Sequence, residues 1–429
     1  MSVFWIANPF DDLPGEGLPP LRYRSLCRVL AANGHDVTWW SSSWSHRLKA
    51  PRDPQECGRM AAGEGYRVIV LTTPPYRRNV SLARIQNHRR YGQALQRTAI
   101  DGVGNGALSR PDLILTSLPP LEAPEAAVRL AQHFRCRCVV DIQDLWPESF
   151  ERLVPGPAAI KKTAVGFLLR NMRRRRTRIL TSADAISATT STYLTRSSRG
   201  MTAEKPTHIC PLGSDLLDVS GGLASPDALR RRANGRETAD QAVLNCVYSG
   251  TLESGQDLAT LVRAAERLSA SGTPAVIHVA GTGALESWLR EMAAKVNGTC
   301  RLHVHGLLDA GRYAALLSTC DVGLNLVKPA ANVVLPNKVC DYAAAGLAII
   351  NSLSGELATL LQRFDAAVPY QAGSAISLVE AIVSLAGDRR RLTDLQANAR
   401  QLANHEFNRS HTYPLWVKWL EGTANNEGW

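Results

Sequence analysis

The chain has 429 residues, 45% hydrophobic and 20% charged. That composition excludes a disordered or fibrous protein, and the length exceeds one ordinary core, so two domains of about 200 residues each are expected. The formal net charge is +11, but much of it sits in one stretch, Lys161, Lys162, Arg170, Arg173, Arg174, Arg175, Arg176 and Arg178, with no acid among them. The excess is a local basic feature, not a generally basic protein. No apolar run reaches the ~18 residues of a membrane span. The start, MSVFWIANPF, lacks a signal peptide's charged beginning and cleavage site and reads as a first strand. Nine cysteines are scattered without a C-x-x-C pair, which points to a reducing cytoplasm and against a zinc site.

In chain order, residues 3–7 read as a strand, followed by a loop over 8–17 and a helix over 21–33 that Gly34 ends. Strands follow at 37–40, 66–71, 113–116 and 138–142, with helices at 84–100 and 123–133 between them. Residues 185–188 and 208–210 read as the last strands of this half. Short apolar runs alternating with helical periodicity imply βαβ units and a parallel sheet. Residues 217–241 are polar and poorly periodic, as a linker would be.

A second alternation begins with a strand at 243–248, a helix at 258–271 and a strand at 276–280. It continues with Gly281-Thr282-Gly283, a helix to about 296, a strand at 302–305, a helix at 310–320 and a strand at 322–326. The expected architecture is α/β, with two facing Rossmann-like doubly wound domains and a cleft between them. Residues 1–205 form the first domain, 206–242 the linker region and 243–400 the second domain. A helical tail over 401–429 returns to the first domain.

Three stretches carry candidate chemistry. Gly15 and Gly17 lie between the first strand and the first helix, where a missing Cβ lets backbone amides approach a phosphate or sugar; the plain alternative is a tight turn. The segment from Asp141 through Asp144, Trp146 and Glu148 leaves the end of a strand. Carboxylates accept sugar hydroxyls and a Trp face stacks on a pyranose, which suits Asp144, Trp146 and Glu148 to sugar binding. The alternative is that Asp144 caps a turn and Trp146 is core. Residues 158–180 form a helix with apolar Ile160, Ala164, Phe167, Leu168 and Met172 near one face and the basic cluster around them. That is the pattern of a helix docking on an anionic membrane surface, against an ordinary solvated charge run. Nucleic acid is disfavoured because no aromatics interleave the arginines.

The third stretch runs from Asn332 to Glu356. Pro336-Asn337-Lys338 opens a short helix over 339–345, Gly346 stops it, an apolar strand follows, and Gly355-Glu356 lies beyond. Lys338 beside a helix start combines a cation with helix-terminal amides and is the candidate phosphate cation. With the Asp-Leu-Trp-Pro segment at 144–147, these residues resemble the retaining glycosyltransferases of family 4, which have the GT-B fold, and among them a bacterial surface-polysaccharide subgroup.

That resemblance implies a nucleotide-diphosphate sugar donor as substrate, no cofactor or metal, and reaction with retention. It implies an acceptor that is a saccharide, here a polyprenyl-diphosphate-linked one at the inner face of the plasma membrane. It places donor contacts at Lys338, Asn337, Asp341 (ribose), Thr251, Gly283 (base), Gly355 and Glu356, with Gly15 and Gly17 approaching the diphosphate, acceptor contacts at Trp146 and Glu148, and the candidate catalytic carboxylate at Asp144. The family's diphosphate-clamping Arg and Lys are replaced by Thr251 and Gln256, and its first motif Glu by Val333. Many members also carry a His near the reaction centre, and 141–148 has none. Three alternatives stand beside this reading: a GT-B-fold subunit without catalysis, a soluble transferase with a small natural-product acceptor, and a sugar-nucleotide epimerase.

Overall fold

The computed structural model describes all residues except 19, 154–157, 202, 216–242 and 426–429, and only the backbone of 151–153, 158–165 and 168. The polar segment 217–241 therefore lies outside the described residues. Two compact units are present: Met1–Pro211 with His411–Trp429, and Leu212–Ser410.

The first unit is a seven-stranded sheet of β1 (Val3–Ala7), β2 (Asp36–Ser42), β3 (Arg67–Leu71), β4 (Leu113–Leu118), β5 (Arg137–Ile142), β6 (Ala185–Ala188) and β7 (Thr207–Ile209). The order is β3-β2-β1-β4-β5-β6-β7, every pairing parallel. Its helices are α1 (Arg22–Ala32), α2 (Pro54–Gly63), α3 (Leu82–Gly104), α4 (Glu122–Phe134), α5 (Ala158–Ser182) and α6 (Ser191–Ser197). Central strands such as β4 are buried along their whole length, as a parallel sheet covered on both faces requires. Tyr413, Trp416, Val417, Trp419 and Leu420 join the core of this unit beside Tyr23, Leu26 and Trp39. The sequence reading had no helix at α2. Its signal is Asp53-Pro54: the Asp53 carboxylate accepts from the Gln55 and Glu56 amides, and Pro54 takes the first helical position, where its missing N–H costs nothing.

The second unit is a six-stranded parallel sheet of β8 (Leu244–Ser249), β9 (Ala275–Ala280), β10 (Cys300–Gly306), β11 (Val322–Asn325), β12 (Ala348–Asn351) and β13 (Ala367–Pro369), ordered β10-β9-β8-β11-β12-β13. Its helices are α7 (Leu258–Ala270), α8 (Glu286–Lys295), α9 (Ala310–Thr319), α10 (Asn337–Ala344), α11 (Glu356–Arg363), α12 (Ala375–Gly387) and α13 (Arg389–Leu402). A last helix, α14 (Arg409–Ala424), carries the chain from the second unit back to the first. Helix α10 starts two residues before the expected 339, which puts Lys338 inside its first turn. Helix α11 and strand β13 went unread because eight and three residues are too few to show a period.

Candidate functional site

In an open parallel sheet, ligands sit beyond the carboxyl ends of the strands where the strand order reverses. In the second unit that point lies between β8 and β11. Beyond β8 comes Gly250 at φ +131°, and beyond β9 comes Gly281 at φ +144°, both in the region that favours glycine. A Cβ on Gly281 would fall 1.8 Å from the Gly250 carbonyl oxygen, and one on Gly283 2.5 Å from that of Leu252. The two loops touch backbone to backbone, so neither position admits a side chain without displacement.

Lys338 lies against Gly250, where a Cβ would come 3.3 Å from its Cε. It is 8% exposed; its Nζ donates to Gln256 Oε1 at 3.2 Å and stands 3.9 Å from the centre of the Tyr248 ring. Among the described residues no carboxylate forms an ion pair with it, and burial alone draws its ammonium down to about 7. Pro336 caps α10 and offers no side-chain acceptor to the first-turn amides. A buried cation without a counterion, at an uncapped helix start, is an arrangement completed by an anion. Gln256 supplies a carbonyl that partly solvates Lys338. Its segment is pinned by a bridge to Val327 and by Lys328 Nζ donating to the Ser254 carbonyl.

Asp341, one turn along α10, departs from the expected open ribose contact. Its Oδ1 accepts from Ser214 Oγ at 2.8 Å and its Oδ2 from the Tyr313 hydroxyl at 3.2 Å. Tyr313 also meets Ser249 Oγ, and the Ser249 amide donates to the Tyr342 hydroxyl. Burial raises the Asp341 carboxyl above its ordinary value. The structure thus makes Asp341 an anchor for the end of β8. Thr251 is exposed, with its carbonyl accepting from Tyr248. Gly355, at φ +77°, is the N-cap of α11, and Glu356 is in that helix's first turn.

In the first unit the loop after β1 is rigidly held. Asn8 Oδ1 accepts from the Phe10 and Asp11 amides, Asp11 accepts from the Tyr23 amide, and buried Arg52 donates to the Pro9 and Asp11 carbonyls. Gly15 and Gly17, at φ +92° and +69°, turn this loop. Farther along the sheet edge, Asp144 Oδ1 accepts from the Leu145 amide and from Ser149 Oγ, and Trp146 is 7% exposed. These contacts are those of a turn cap and a core aromatic, so Trp146 is not an open stacking platform. Glu148 is not an open acceptor contact either, because it pairs with Arg173 and Arg176. Asp141 is wholly buried, in a bidentate pair with Arg22. No histidine lies in this segment, but His88 of α3 packs 6.0 Å from Trp146, centre to centre, a juxtaposition that spacing along the chain does not reveal.

Residues 21–213 match the model of the "Glycosyl transferase 4-like domain" and residues 244–388 that of "Glycosyl transferases group 1". The chain is built from the two domains of a GT-B glycosyltransferase. The fold is shared over essentially full length with solved structures of low identity. One is sucrose-phosphate synthase from Thermosynechococcus elongatus, with TM-score 0.72 and 15% identity, covering 100% of each chain. Another is HepE of Anabaena in complex with UDP-glucose, at 0.67 and 13%, covering 98% of this chain and 100% of that one. A third is WaaG, a glycosyltransferase involved in lipopolysaccharide biosynthesis, at 0.61 and 14%, covering 98% of each. No curated protein matches the transferase by sequence.

The basic run of the transferase divides by helix face. Arg176 is buried and donates to the Trp146 carbonyl and to Glu148, Arg175 pairs with Glu122 and Glu125, and Arg173 pairs with Glu148. These three hold α5 onto the first unit, which corrects their assignment to a docking surface. Phe167, Arg170, Arg174 and Arg178 are exposed and recur at spacings of three, four and four, so they share one face. The side chains of Lys161 and Lys162, like Ile160, Ala164 and Leu168 of the expected apolar face, lie outside the described residues. Among the described residues no helix is long and apolar enough to cross a membrane, and no group of three or more His, Cys, Asp or Glu could hold a metal ion.

Proposed function

We propose that this transferase moves a sugar, with retention at the anomeric carbon, from a nucleoside-diphosphate donor to a lipid-linked saccharide of a bacterial surface polysaccharide. The observation that carries the donor half is Lys338, a buried ammonium with no carboxylate partner among the described residues, at the strand-order reversal of the second unit. The leaving diphosphate gains negative charge as the glycosidic bond breaks. The Lys338 ammonium, held in its protonated form by the bound diphosphate, and the first-turn amides stabilise that charge. Thr251, Gly283, Gly355 and Glu356 bound the same strand ends and are proposed to contact nucleotide or sugar, and Gly15 and Gly17 are proposed as further donor contacts. Asp144, fixed by its own turn, keeps its proposed role of orienting or deprotonating the acceptor hydroxyl.

The test is thermal melting with UDP, GDP, ADP and dTDP, followed by turnover with sugars of whichever nucleotide binds. Saturation at one hundred times the dissociation constant stabilises by about 2.7 kcal/mol, so one nucleotide is expected to raise the melting temperature clearly. A second reading is nucleotide binding without catalysis, favoured by Gln256 and Thr251 standing where the family has cations. It predicts a melting shift and no transfer, whereas no shift with any of the four removes the donor assignment itself.

Proximity to lipid is proposed from the exposed face of α5. Each basic residue near an anionic surface contributes about 1 kcal/mol. Arg170→Glu, Arg174→Glu and Arg178→Glu together are expected to lower sedimentation with phosphatidylglycerol vesicles by more than tenfold. Wild-type protein that stays in the supernatant at low salt would contradict membrane docking and favour a soluble acceptor.

A further inference from the structure

Four strand-end loops of the first unit and the start of α3 bring one set of side chains together. Phe10 follows β1, His46 follows β2, Tyr76 follows β3 and Trp146 follows β5, while Arg84 and His88 come from α3. Phe10 lies 5.0 Å from His46 and 5.2 Å from His88, centre to centre, and Tyr76 lies 5.9 Å from His46. The Arg84 guanidinium stands 5.2 Å from the centre of Phe10 and 5.4 Å from that of Trp146. Its Nε donates to His88 Nε2 at 3.3 Å and its Nη1 to the Asn79 carbonyl at 2.7 Å. None of this belongs to the donor half.

The charge balance is one-sided. Among the described residues Arg84 has no carboxylate within ion-pair distance; Asp144 acts on it only at longer range. Burial lowers the Arg84 guanidinium from its ordinary value and draws His88 to about 3 and His46 to about 2. Both imidazoles are therefore neutral at physiological pH. Because His88 Nε2 accepts from Arg84, its proton resides on Nδ1, the nitrogen 3.8 Å from Glu122. A second cation, Lys49, lies 4.9 Å from the Tyr76 ring centre and donates to Asn79 Oδ1. Arg77 and Arg78 are exposed next to them in the chain. An arginine half-buried among aromatic and neutral imidazole rings, with Nε and one Nη1 hydrogen already donated, keeps its Nη2 hydrogens for a planar or tetrahedral oxyanion.

We propose that this cluster is a phosphate subsite for the acceptor, with Arg84 as its principal ligand and Lys49 at its rim. The proposal rests on the transferase reading for the word acceptor, while the phosphate chemistry stands on the cluster alone. The phosphate could belong to a sugar monophosphate or to the diphosphate of an isoprenyl carrier, and two soluble probes separate these sources, glucose 6-phosphate and geranyl diphosphate.

The experiment is calorimetric titration of full-length Lys338→Met protein, whose donor cation is gone, with each probe and with neutral glucose. One phosphate probe is expected to bind as it does to wild type, and glucose not to bind. Adding Arg84→Gln is expected to weaken that probe at least tenfold, while Arg84→Lys, which keeps the charge, retains part of the binding and guards against misfolding in the Gln variant. Equal affinity in Arg84→Gln, or no binding of either probe at millimolar concentration, overturns the proposal. Nucleotide binding by wild type without phosphate binding here sinks the subsite alone. Arg84-dependent phosphate binding without any nucleotide binding sinks the donor assignment and leaves the subsite standing.

Discussion

Lys338→Met is expected to make the ligand-free protein more stable and to weaken its affinity for nucleoside diphosphate. The ammonium of Lys338 is buried against Tyr248 and Gln256 without a counterion among the described residues, and its folded value of about 7 lies well below the ordinary 10.5. For a cation with a depressed folded value, the unfolded chain keeps the proton that the fold has shed. The destabilisation is therefore full below about pH 7 and fades as pH rises toward about 10.5. Replacing the lysine with a methionine of similar length removes that burden, and the gain at neutral pH is on the order of 2–4 kcal/mol. Melting curves should show the variant several degrees above wild type at pH 7 and converging with it by pH 10. Nucleotide affinity should fall tenfold to a hundredfold or more, the loss expected for a charged hydrogen bond. A variant less stable than wild type at pH 7 would mean that Lys338 already has a partner in the folded chain.

The second large effect concerns Arg22 and Asp141. Arg22 is 2% exposed and Asp141 fully buried, joined by two hydrogen bonds of 2.8 and 2.9 Å. Arg22 also donates to the Cys210 and Pro211 carbonyls and stacks 3.9 Å from the Trp416 ring centre; Asp141 accepts from the Tyr23 and Ser187 hydroxyls. The pair ties α1, β5, β6, the chain after β7 and α14 into one unit. Asp141→Leu alone leaves a guanidinium buried without its counterion and should cost about 3–5 kcal/mol. The double variant Arg22→Met with Asp141→Leu should recover much of that loss, since apolar replacement of a whole buried pair is often neutral. Urea unfolding followed by tryptophan fluorescence measures both. Costs that simply add would show that the two residues are not coupled.

Much of the fold can be read from the sequence because the sheets are parallel and buried. Strands β1 and β6 sit at the residues that their apolar runs mark, and α7 follows its amphipathic period to within a residue. What escaped was short or capped by local chemistry, as with α2 behind Asp53-Pro54. The candidate site is less legible. Lys338 could be picked out as a lone cation at a helix start, but its lack of a counterion is a fact of packing. Asp144, Trp146 and Glu148 look alike in sequence whether they face a sugar or close a turn, and only Ser149, Arg173 and Arg176 distinguish the two. The arginine run reads as uniform charge until the helix turns three of its members inward. His88 and Arg84 reach Trp146 from about sixty residues away, so no local motif could announce them.

The central claim is that a diphosphate completes Lys338, and its most direct test is calorimetric titration of the binding nucleotide at pH 8 in two buffers of different ionisation enthalpy. At that pH free Lys338 is mostly neutral, and an adjacent diphosphate restores its proton. Uptake of close to one proton per nucleotide, absent in Lys338→Met, is the predicted result. Binding without proton uptake, or with unchanged affinity in Lys338→Met, would contradict it.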